Sequence, residues 1–309
     1  MKESINTVER PKRPNIRRRK ELLFYSIMMA FPVMQVIIFY IIINLNSISM
    51  SLKSYSVLSG YSFVGLDNFK KCFSDLFNEF GLISSFKNSL LAFGVQTLII
   101  PWLAMLFSYY IYKNRFGGKV FNVFLFLPSI ISPLVITLIY KTMLEDALPA
   151  YIFELFGKEI MPIYSENTMP AIIAYYLLMS FGTSVLLYAG AMAGIDISVM
   201  EAAQLDGATG VKEFIFVVFP LIYPTFVTFI TVGFASIFTN QLNLFSFERG
   251  EALPKNYTFG YYLYKETLGQ GAETRYPYLS AMGIIFTLIA IPLTFGSRYL
   301  LNKIGPSVE

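Results

Sequence analysis

The sequence predicts an all-α membrane protein with six transmembrane helices. Of its 309 residues, 55% are hydrophobic and only 14% are charged, whereas an average soluble domain carries roughly 25% charged residues. Histidine is absent and Cys72 is the only cysteine, which excludes an imidazole base, a histidine-containing metal cage and an internal disulfide. The composition also excludes a disordered chain and a nucleic-acid-binding module, and it is a poor match to an ordinary soluble enzyme.

Six stretches without Asp, Glu, Lys or Arg are long enough to cross a bilayer, which takes about 20 apolar residues in a helix that satisfies its own backbone. These stretches are residues 22–45, 88–112, 120–140, 167–195, 214–247 and 276–297. The first has a basic flank but is too long for the apolar region of a signal peptide, so we interpret it as an uncleaved helix. The fifth exceeds one span, so we expect part of it to lie outside the hydrocarbon.

The distribution of Lys and Arg predicts the orientation of the chain. Eight of them lie between Lys2 and Lys20, and more follow the second and the last stretch. By the positive-inside rule, both termini are cytoplasmic. This divides the chain into a basic tail (1–21), a transmembrane domain (22–302) and a second tail (303–309). We interpret the basic tail as a topology signal that also contacts anionic membrane lipid, and not as a nucleic-acid site.

The six stretches contain no ionisable side chain other than tyrosine. This argues against an ion-coupled transporter, a proton pump and a membrane enzyme that uses paired carboxylates. The string Gly117-Gly118-Lys119-Val120 lacks the upstream glycine and the hydroxyl of a P-loop. We therefore expect no catalytic residue, metal or cofactor in this chain. Any ATP hydrolysis must take place on another chain.

Uncharged polar residues mark two of the predicted helices. Tyr176, Ser180 and Thr183 share a face of the fourth, and Gly233, Ser236 and Asn240, at i, i+3 and i+7, share a face of the fifth. Hydroxyl, amide and aromatic groups without charge suit a path for a neutral hydroxylated solute. The alternative is helix–helix packing, because small and polar residues also line helix contacts in lipid. Both interpretations remain open at this level.

The loop at 196–213 is expected to be cytoplasmic, yet it is acidic. It contains Glu201-Ala202-Ala203-Gln204-Leu205-Asp206-Gly207 and continues to Val217-Val218-Phe219-Pro220. This resembles the EAA signature of permease subunits of binding-protein-dependent ABC importers, with the same spacing and a conservatively altered end. The string Phe63-Val64-Gly65-Leu66-Asp67-Asn68-Phe69 is similar to the carbohydrate-importer branch of that family.

The resemblance implies the six-helix fold of type I ABC importer permeases, related to the larger maltose permease, in a bacterial inner membrane. Residues 196–220, here called the EAA loop, would dock on an ATPase subunit. Glu201 would pair with a basic residue there, Ala202 and Ala203 would allow close approach, Asp206 belongs to the same pattern, and Gly207 would set the bend. We expect a helix near 200–205, a positive φ at Gly207 and a second short helix near 211–216 that accounts for the excess length of the fifth stretch.

The resemblance also implies a substrate site and partners. Alignment with the maltose permease places sugar contacts at Tyr176, Ser180, Thr183, Gly233, Ser236, Ile237 and Asn240. The expected partners are a second homologous permease, two cytoplasmic ATPase subunits that bind ATP and Mg, and an external solute-binding protein. The expected solute is a carbohydrate, in particular an oligosaccharide. The alternatives are an ABC importer for a polyol phosphate or a peptide, a stand-alone secondary transporter, and a membrane enzyme acting on lipid-linked sugars.

Overall fold

The computed structural model describes residues 15–159, 168–248, 250–269 and 271–306. Across these ranges the chain is helical, apart from short connections and one β-hairpin. The start of the basic tail (1–14), the end of the second tail (307–309) and residues 160–167, which include the first residue of the predicted fourth span, lie outside the described residues.

The first span is one continuous helix followed by a hairpin. Helix α1 (Asn15–Gln35) passes through a π-helical turn (Val36–Ile42) into α2 (Ile43–Ser51). Strands β1 (Lys53–Ser56) and β2 (Gly60–Phe63) then pair antiparallel, with Lys53 opposite Phe63. This hairpin is not among the elements predicted from the sequence.

The string at 63–69 joins the hairpin to the first span. The side-chain amide of Asn68 donates to the carbonyl oxygens of Ser51 (2.8 Å) and Lys53 (2.7 Å). The backbone amides of Val64 and Gly65 donate to the carbonyl oxygen of Leu52. In this chain the string therefore fixes the end of α2 and the start of the next helix.

The middle of the chain contains the second span and a broken pair of helices. In order, the elements are α3 (Asp67–Asn78), α4 (Phe80–Gly94), a π-helical turn (Val95–Ile99), α5 (Ile100–Tyr112), α6 (Gly118–Ile130), α7 (Pro133–Thr142), a π-helical turn (Met143–Ala147) and α8 (Leu148–Phe156). The helix from Phe80 to Tyr112 is continuous.

The last third of the chain contains the EAA loop and two long helices. Its elements are α9 (Thr168–Ala193), α10 (Ile197–Leu205), α11 (Val211–Glu213), a π-helical turn (Phe214–Val218), α12 (Phe219–Ser236), α13 (Leu244–Glu248), a 3-10 turn (Pro254–Asn256), α14 (Phe259–Leu268), a 3-10 turn (Ala272–Thr274) and α15 (Tyr276–Ile304).

Five helices in the described part of the chain are long and apolar enough to cross a membrane. They are Arg19–Ser51, Phe80–Tyr112, Thr168–Ala193, Val211–Ser236 and Tyr276–Ile304. They correspond to the first, second, fourth, fifth and sixth predicted stretches.

The third predicted stretch, 120–140, is not a single helix. The chain leaves the helical conformation at Ile131 (φ −79°, ψ 143°) and Ser132 (φ −52°, ψ 131°) before α7 begins at Pro133. Proline has no backbone N–H and disfavours a helical conformation in the residue before it. The hydropathy of the stretch is continuous, but the helix is not.

The fifth stretch also differs from the prediction. Residues 211–236 form one continuous helical run, so the short helix expected near 211–216 is present and leads into the span without a break, but it does not account for the excess length. The excess length lies at the other end, where the chain turns after Ser236 and both Leu242 (φ 50°) and Asn243 (φ 55°) have positive φ. Asn240 therefore lies beyond the helix and does not share a helical face with Gly233 and Ser236.

Two clusters of buried hydrophobic residues hold the described helices together. One surrounds Tyr175, Tyr261 and Met282, and the other surrounds Met105, Tyr188 and Val218 and includes residues of the EAA loop. The first span contributes to neither, because its large apolar side chains from Leu22 to Leu45 are 41% to 73% exposed. Its end, α2, packs against α15.

Candidate functional site

The EAA loop is a helix, a tight turn and a second helical segment. Its first helix, α10, begins after Asp196, whose carboxylate accepts a hydrogen bond from the backbone N–H of Ser198 at 2.9 Å. Side-chain oxygens at this position satisfy backbone donors at the start of a helix. Hydrogen bonds from Ser198 also lower the pKa of Asp196, because they stabilise the charged carboxylate.

A glycine ends this helix, as the sequence predicts. Gly207 has φ +78°, its N–H donates to the carbonyl of Gln204, and the N–H of Ala208 donates to the carbonyl of Ala203. This pair of bonds is the Schellman motif, which requires a left-handed residue at the position after the cap. The turn therefore depends on backbone conformation and not on side-chain packing.

The residues of the EAA sequence face in different directions. Glu201, Ala202, Asp206 and Gly207 are exposed, whereas Ala203 is buried against its own chain. Met200, just before them, belongs to the second hydrophobic cluster. The exposed face of α10 thus presents Glu201 and Ala202 outward, while the opposite face anchors the loop to the membrane helices.

A group of polar side chains meets between three of the long helices. The Tyr176 hydroxyl donates to Oε1 of Gln96 at 2.9 Å and accepts from the side-chain amide of Asn240 at 3.0 Å. The Ser236 hydroxyl lies 3.2 Å from the same Gln96 oxygen. We call these four residues the polar cluster. It brings together three of the predicted substrate residues, and its side chains carry no charge.

Asn240 has two structural partners besides Tyr176. Its side-chain oxygen accepts from the N–H of Leu242 at 2.9 Å, and its backbone oxygen accepts from the Thr258 hydroxyl at 2.8 Å. The side chain therefore shapes the turn after α12 as well as joining the polar cluster. This turn, rather than a helical repeat, brings Asn240 to Tyr176.

The other predicted substrate residues lie around the polar cluster. Ser180 is half-buried one turn further along α9, and the next turn places Thr183 at an exposed position, where its hydroxyl donates to the Ser180 carbonyl at 3.1 Å. Ile237 is half-buried just after the end of α12. Gly233 is buried where an added Cβ would overlap the Thr97 side chain, so its absent side chain lets α12 approach the second span.

A second glycine positions the turn that carries Asn240. An added Cβ at Gly260 would overlap the carbonyl group of Thr239. Only a residue without a side chain allows the start of α14 to lie this close to the backbone of residues 239 and 240. The placement of Asn240 thus depends on a contact between distant parts of the chain.

Gln96 is the member of the polar cluster that is absent from the predicted substrate residues. The polar faces predicted from the sequence lie on the fourth and fifth stretches only. A signal was present, because Gln96 is an amide within residues 90–107 of the second stretch, where the one other polar residue is Thr97. Polar side chains in a membrane helix are expensive unless they have partners, and such a residue predicts a partner on another helix.

The fold defines the class of the protein: a polytopic helical membrane protein whose polar groups meet between its helices. A family model described as "Binding-protein-dependent transport system inner membrane component" matches residues 100–308. The chain belongs to this family. It is a permease subunit of an ABC transporter and a multi-pass bacterial membrane protein, and it is a transport component rather than an enzyme.

Curated relatives match along most of their length. The chain is 25% identical over 274 residues to Protein LplB of Bacillus subtilis (strain 168), which covers 82% of this chain and 81% of that protein. It is 24% identical to the arabinooligosaccharides transport system permease protein AraP of Halalkalibacterium halodurans, covering 78% and 76%. It is 26% identical to the sn-glycerol-3-phosphate transport system permease protein UgpA of Agrobacterium fabrum (strain C58 / ATCC 33970), covering 79% and 82%.

A solved structure shares the fold. A chain of a bacterial alginate ABC transporter, crystallised in complex with an alginate pentasaccharide-bound periplasmic protein, superposes with a TM-score of 0.73. The match covers 95% of this chain and 98% of that chain at 20% sequence identity. At this identity the likeness shows a common fold.

Proposed function

We propose that this chain is the permease subunit of an ATP-driven importer that moves a carbohydrate, in particular an oligosaccharide, into the cell. The observation that carries the proposal is the EAA loop in a chain of this family. It projects a helix with an exposed Glu201 and Ala202, and a Schellman turn at Gly207 gives it a defined shape. A projecting helix of this kind is suited to insertion into a cleft on a partner protein.

The proposed topology has six crossings with both termini in the cytoplasm. Five continuous helices provide five of them. The sixth is provided by α6 and α7 together, with the break before Pro133 inside the membrane or at its edge. Non-helical backbone at this depth is tolerated where other protein segments cover it. Packing of α6 against α9 supports this arrangement.

The polar cluster supports a neutral hydroxylated solute. Its hydroxyl and amide groups match the hydrogen-bonding groups of a sugar, and Tyr176 adds an aromatic face. The relative named for sn-glycerol-3-phosphate makes a phosphate the second candidate. The uncharged side chains of the cluster favour the sugar, because a buried phosphate calls for a cationic partner. AraP, a relative, is named for arabinooligosaccharides, which supports a solute of more than one sugar unit.

The proposed assembly contains a second, homologous permease, two ATPase subunits that bind ATP and Mg, and an external solute-binding protein. The mechanism is alternating access: closure of the ATPase dimer moves the EAA loops, and the path opens to the outside. Each state is favoured only to the extent that ATP or solute binds it more tightly than the other state. The exposed apolar surface of the first span is available to lipid or to the second permease.

The decisive experiment is affinity purification of the tagged chain from its native membrane, followed by mass spectrometry. We expect an ATPase subunit, a second permease and a solute-binding protein to co-purify. The binding protein can then be screened with sugars by thermal shift, and the sugar that stabilises it can be tested for ATP-dependent uptake in proteoliposomes.

Two results would contradict the proposal. Solute uptake by the purified chain alone in liposomes, without ATP, would identify a stand-alone transporter. A binding protein that is stabilised by glycerol phosphates or peptides and not by sugars would keep the importer but change the solute class.

A further inference from the structure

A buried carboxylate connects the EAA loop to the second span. Glu213 is only 1% exposed, although it lies in a loop whose other acidic residues face outward. Its two oxygens lie 2.6 Å and 2.9 Å from the ammonium nitrogen of Lys113, the residue directly after α5. Both oxygens therefore contact the same cation.

Tyr109 completes the contact one turn earlier on the same helix. Its hydroxyl lies 3.1 Å from Oε1 of Glu213 and 2.9 Å from the carbonyl oxygen of Gly210, so it can donate to either. The ring also packs against Phe214 at a centroid distance of 5.1 Å. We call Tyr109, Lys113 and Glu213 the loop clamp.

The second span leads directly from the loop clamp to the polar cluster. The helix from Phe80 to Tyr112 is continuous and carries Tyr109 near one end and Gln96 near its middle. At 1.5 Å per residue, Gln96 lies about 25 Å from Lys113 along the helix axis. Ser108 further ties this helix to α9 by donating to the carbonyl of Val185 at 2.7 Å.

We propose that the loop clamp is a positioning device that passes movement of the EAA loop to Gln96 through the second span. This deepens the proposed function and rests on it. The side chain of Glu213 is buried and that of Lys113 is 23% exposed. Such a pair holds its two elements in one geometry, because separating the charges leaves a buried carboxylate uncompensated. A movement of the loop therefore moves the end of the second span, and with it the residue that accepts hydrogen bonds from Tyr176 and Ser236.

The test measures whether nucleotide binding to the ATPase still alters the accessibility of the polar cluster when the charges of the loop clamp are removed. The reporter is Ser236→Cys, a nearly isosteric change beside Gln96, labelled with N-ethylmaleimide in the purified complex with and without a non-hydrolysable ATP analogue. The native Cys72 contributes little background, since it is fully buried and burial raises the pKa of its thiol to about 12.

We expect the analogue to change the labelling rate by about fivefold or more with the clamp intact, the lower end of ordinary coupling factors. The double variant Lys113→Met with Glu213→Gln keeps the shape of both side chains, removes both charges, and should reduce the change to less than about twofold. Lys113→Arg retains the positive charge, so the analogue should still change the labelling rate by about fivefold or more. The matched control, Lys70→Met with Asp67→Asn, neutralises an exposed ion pair (3.1 Å). The analogue should still change the labelling rate in this control.

If the ATP analogue changes the labelling rate of the double variant as much as with the intact clamp, and the ATPase is still bound, the clamp proposal is wrong. The proposed function is unaffected by that result. If the double variant does not assemble, Tyr109→Phe removes a single hydroxyl from the clamp. An analogue effect on the labelling rate of Tyr109→Phe that equals the effect with the intact clamp likewise contradicts the clamp proposal. Failure of an ATPase to co-purify with the chain that has an intact clamp overturns the proposed function, and the clamp proposal with it.

Discussion

At the scale of single residues, burial separates acidic side chains that look alike in the sequence. Glu201 and Glu213 lie in the same loop and both depart from the positive-inside pattern. Glu201 is exposed, so its charge is available to a partner. Glu213 is buried and neutralised within the chain by Lys113. We therefore expect the first to act between proteins and the second within this one.

The charge of Glu201 is expected to act between proteins. Glu201→Lys should leave the fold intact, because the side chain is exposed, but should uncouple ATP hydrolysis from uptake by reversing the docking charge. The measurement is the ratio of ATP hydrolysed to solute moved in proteoliposomes. Glu273→Lys, at another exposed acidic position, should retain the native ratio. Uptake at the native rate by Glu201→Lys would show that this charge does not contribute to docking.

Asn240 tests the substrate role of the polar cluster. Asn240→Ala should lower uptake of the cognate sugar by about tenfold, the factor that corresponds to one hydrogen bond worth about 1.4 kcal/mol. Uptake and co-purification of the ATPase are measured together, so that loss of assembly is recognised. Thr239→Ala removes an exposed neighbouring hydroxyl and should have little effect. If several sugars are transported unchanged by Asn240→Ala, the polar cluster is a packing feature and not a substrate site.

At the scale of elements, turns and helix breaks determine the positions of the candidate functional residues more than shared helix faces do. The Schellman turn at Gly207 reverses the EAA loop, and the break before Pro133 divides the third stretch. The turn after Ser236 carries Asn240 to Tyr176. In the first two cases a residue with a special backbone requirement, Gly207 or Pro133, decides where a regular helix stops.

The positive φ at Gly207 predicts how much an alanine at this position destabilises the EAA loop. Gly207→Ala should destabilise the EAA loop by about 1–2 kcal/mol, the cost of a left-handed conformation for a residue with a Cβ. An added Cβ would contact nothing within 4 Å, so the effect comes from the backbone alone. The measurement is co-purification of the ATPase, or hydrogen exchange at residues 197–213.

Gly94→Ala is the matched control for Gly207→Ala. An added Cβ there also has nothing within 4 Å, but Gly94 lies in α4 with ordinary helical dihedrals (φ −59°, ψ −46°). This variant should be neutral or slightly stabilising. Equal effects of the two substitutions would show that the positive φ at Gly207 does not matter to the loop.

At the scale of the whole molecule, the described helices form a packed body with an exposed first span. The second span contributes to both groups of polar side chains: Gln96 lies in the polar cluster, and Lys113, directly after the helix, lies in the loop clamp. The first span joins the body through α2, which packs against α15, and through the string at 63–69. Most of its apolar surface is therefore free for lipid or for a second subunit.

The topology of the whole chain is testable with reporter fusions. Six crossings require both termini on the same side, so green fluorescent protein fused to either terminus should fluoresce in the cytoplasm. Alkaline phosphatase fused after Gly157 should be active outside, since α6 and α7 are expected to cross together. Inactive phosphatase at that position would mean that the broken pair does not cross and that the chain has five spans.

The helices and the EAA turn are properties of local sequence, and the sequence alone determined them. A long apolar run must satisfy its backbone within itself, and a glycine at the end of a helix supplies a conformation that other residues adopt only with strain. The same local reasoning went wrong where two local signals competed. At 120–140 continuous hydropathy concealed the break at Pro133, and in the fifth stretch it concealed the end of the helix at Ser236.

Only the tertiary structure decided which distant residues meet. Lys113 and Glu213 are 100 residues apart, and Tyr176 and Gln96 are 80 apart. No helical period relates residues on different helices, so spacing in the sequence cannot reveal such pairs. Their partners are chosen by close approach of helices, as at Gly233 and Gly260, and by the requirement that a buried polar group finds a partner. The sequence identified the helices and their projecting loop, and packing determined how they are joined.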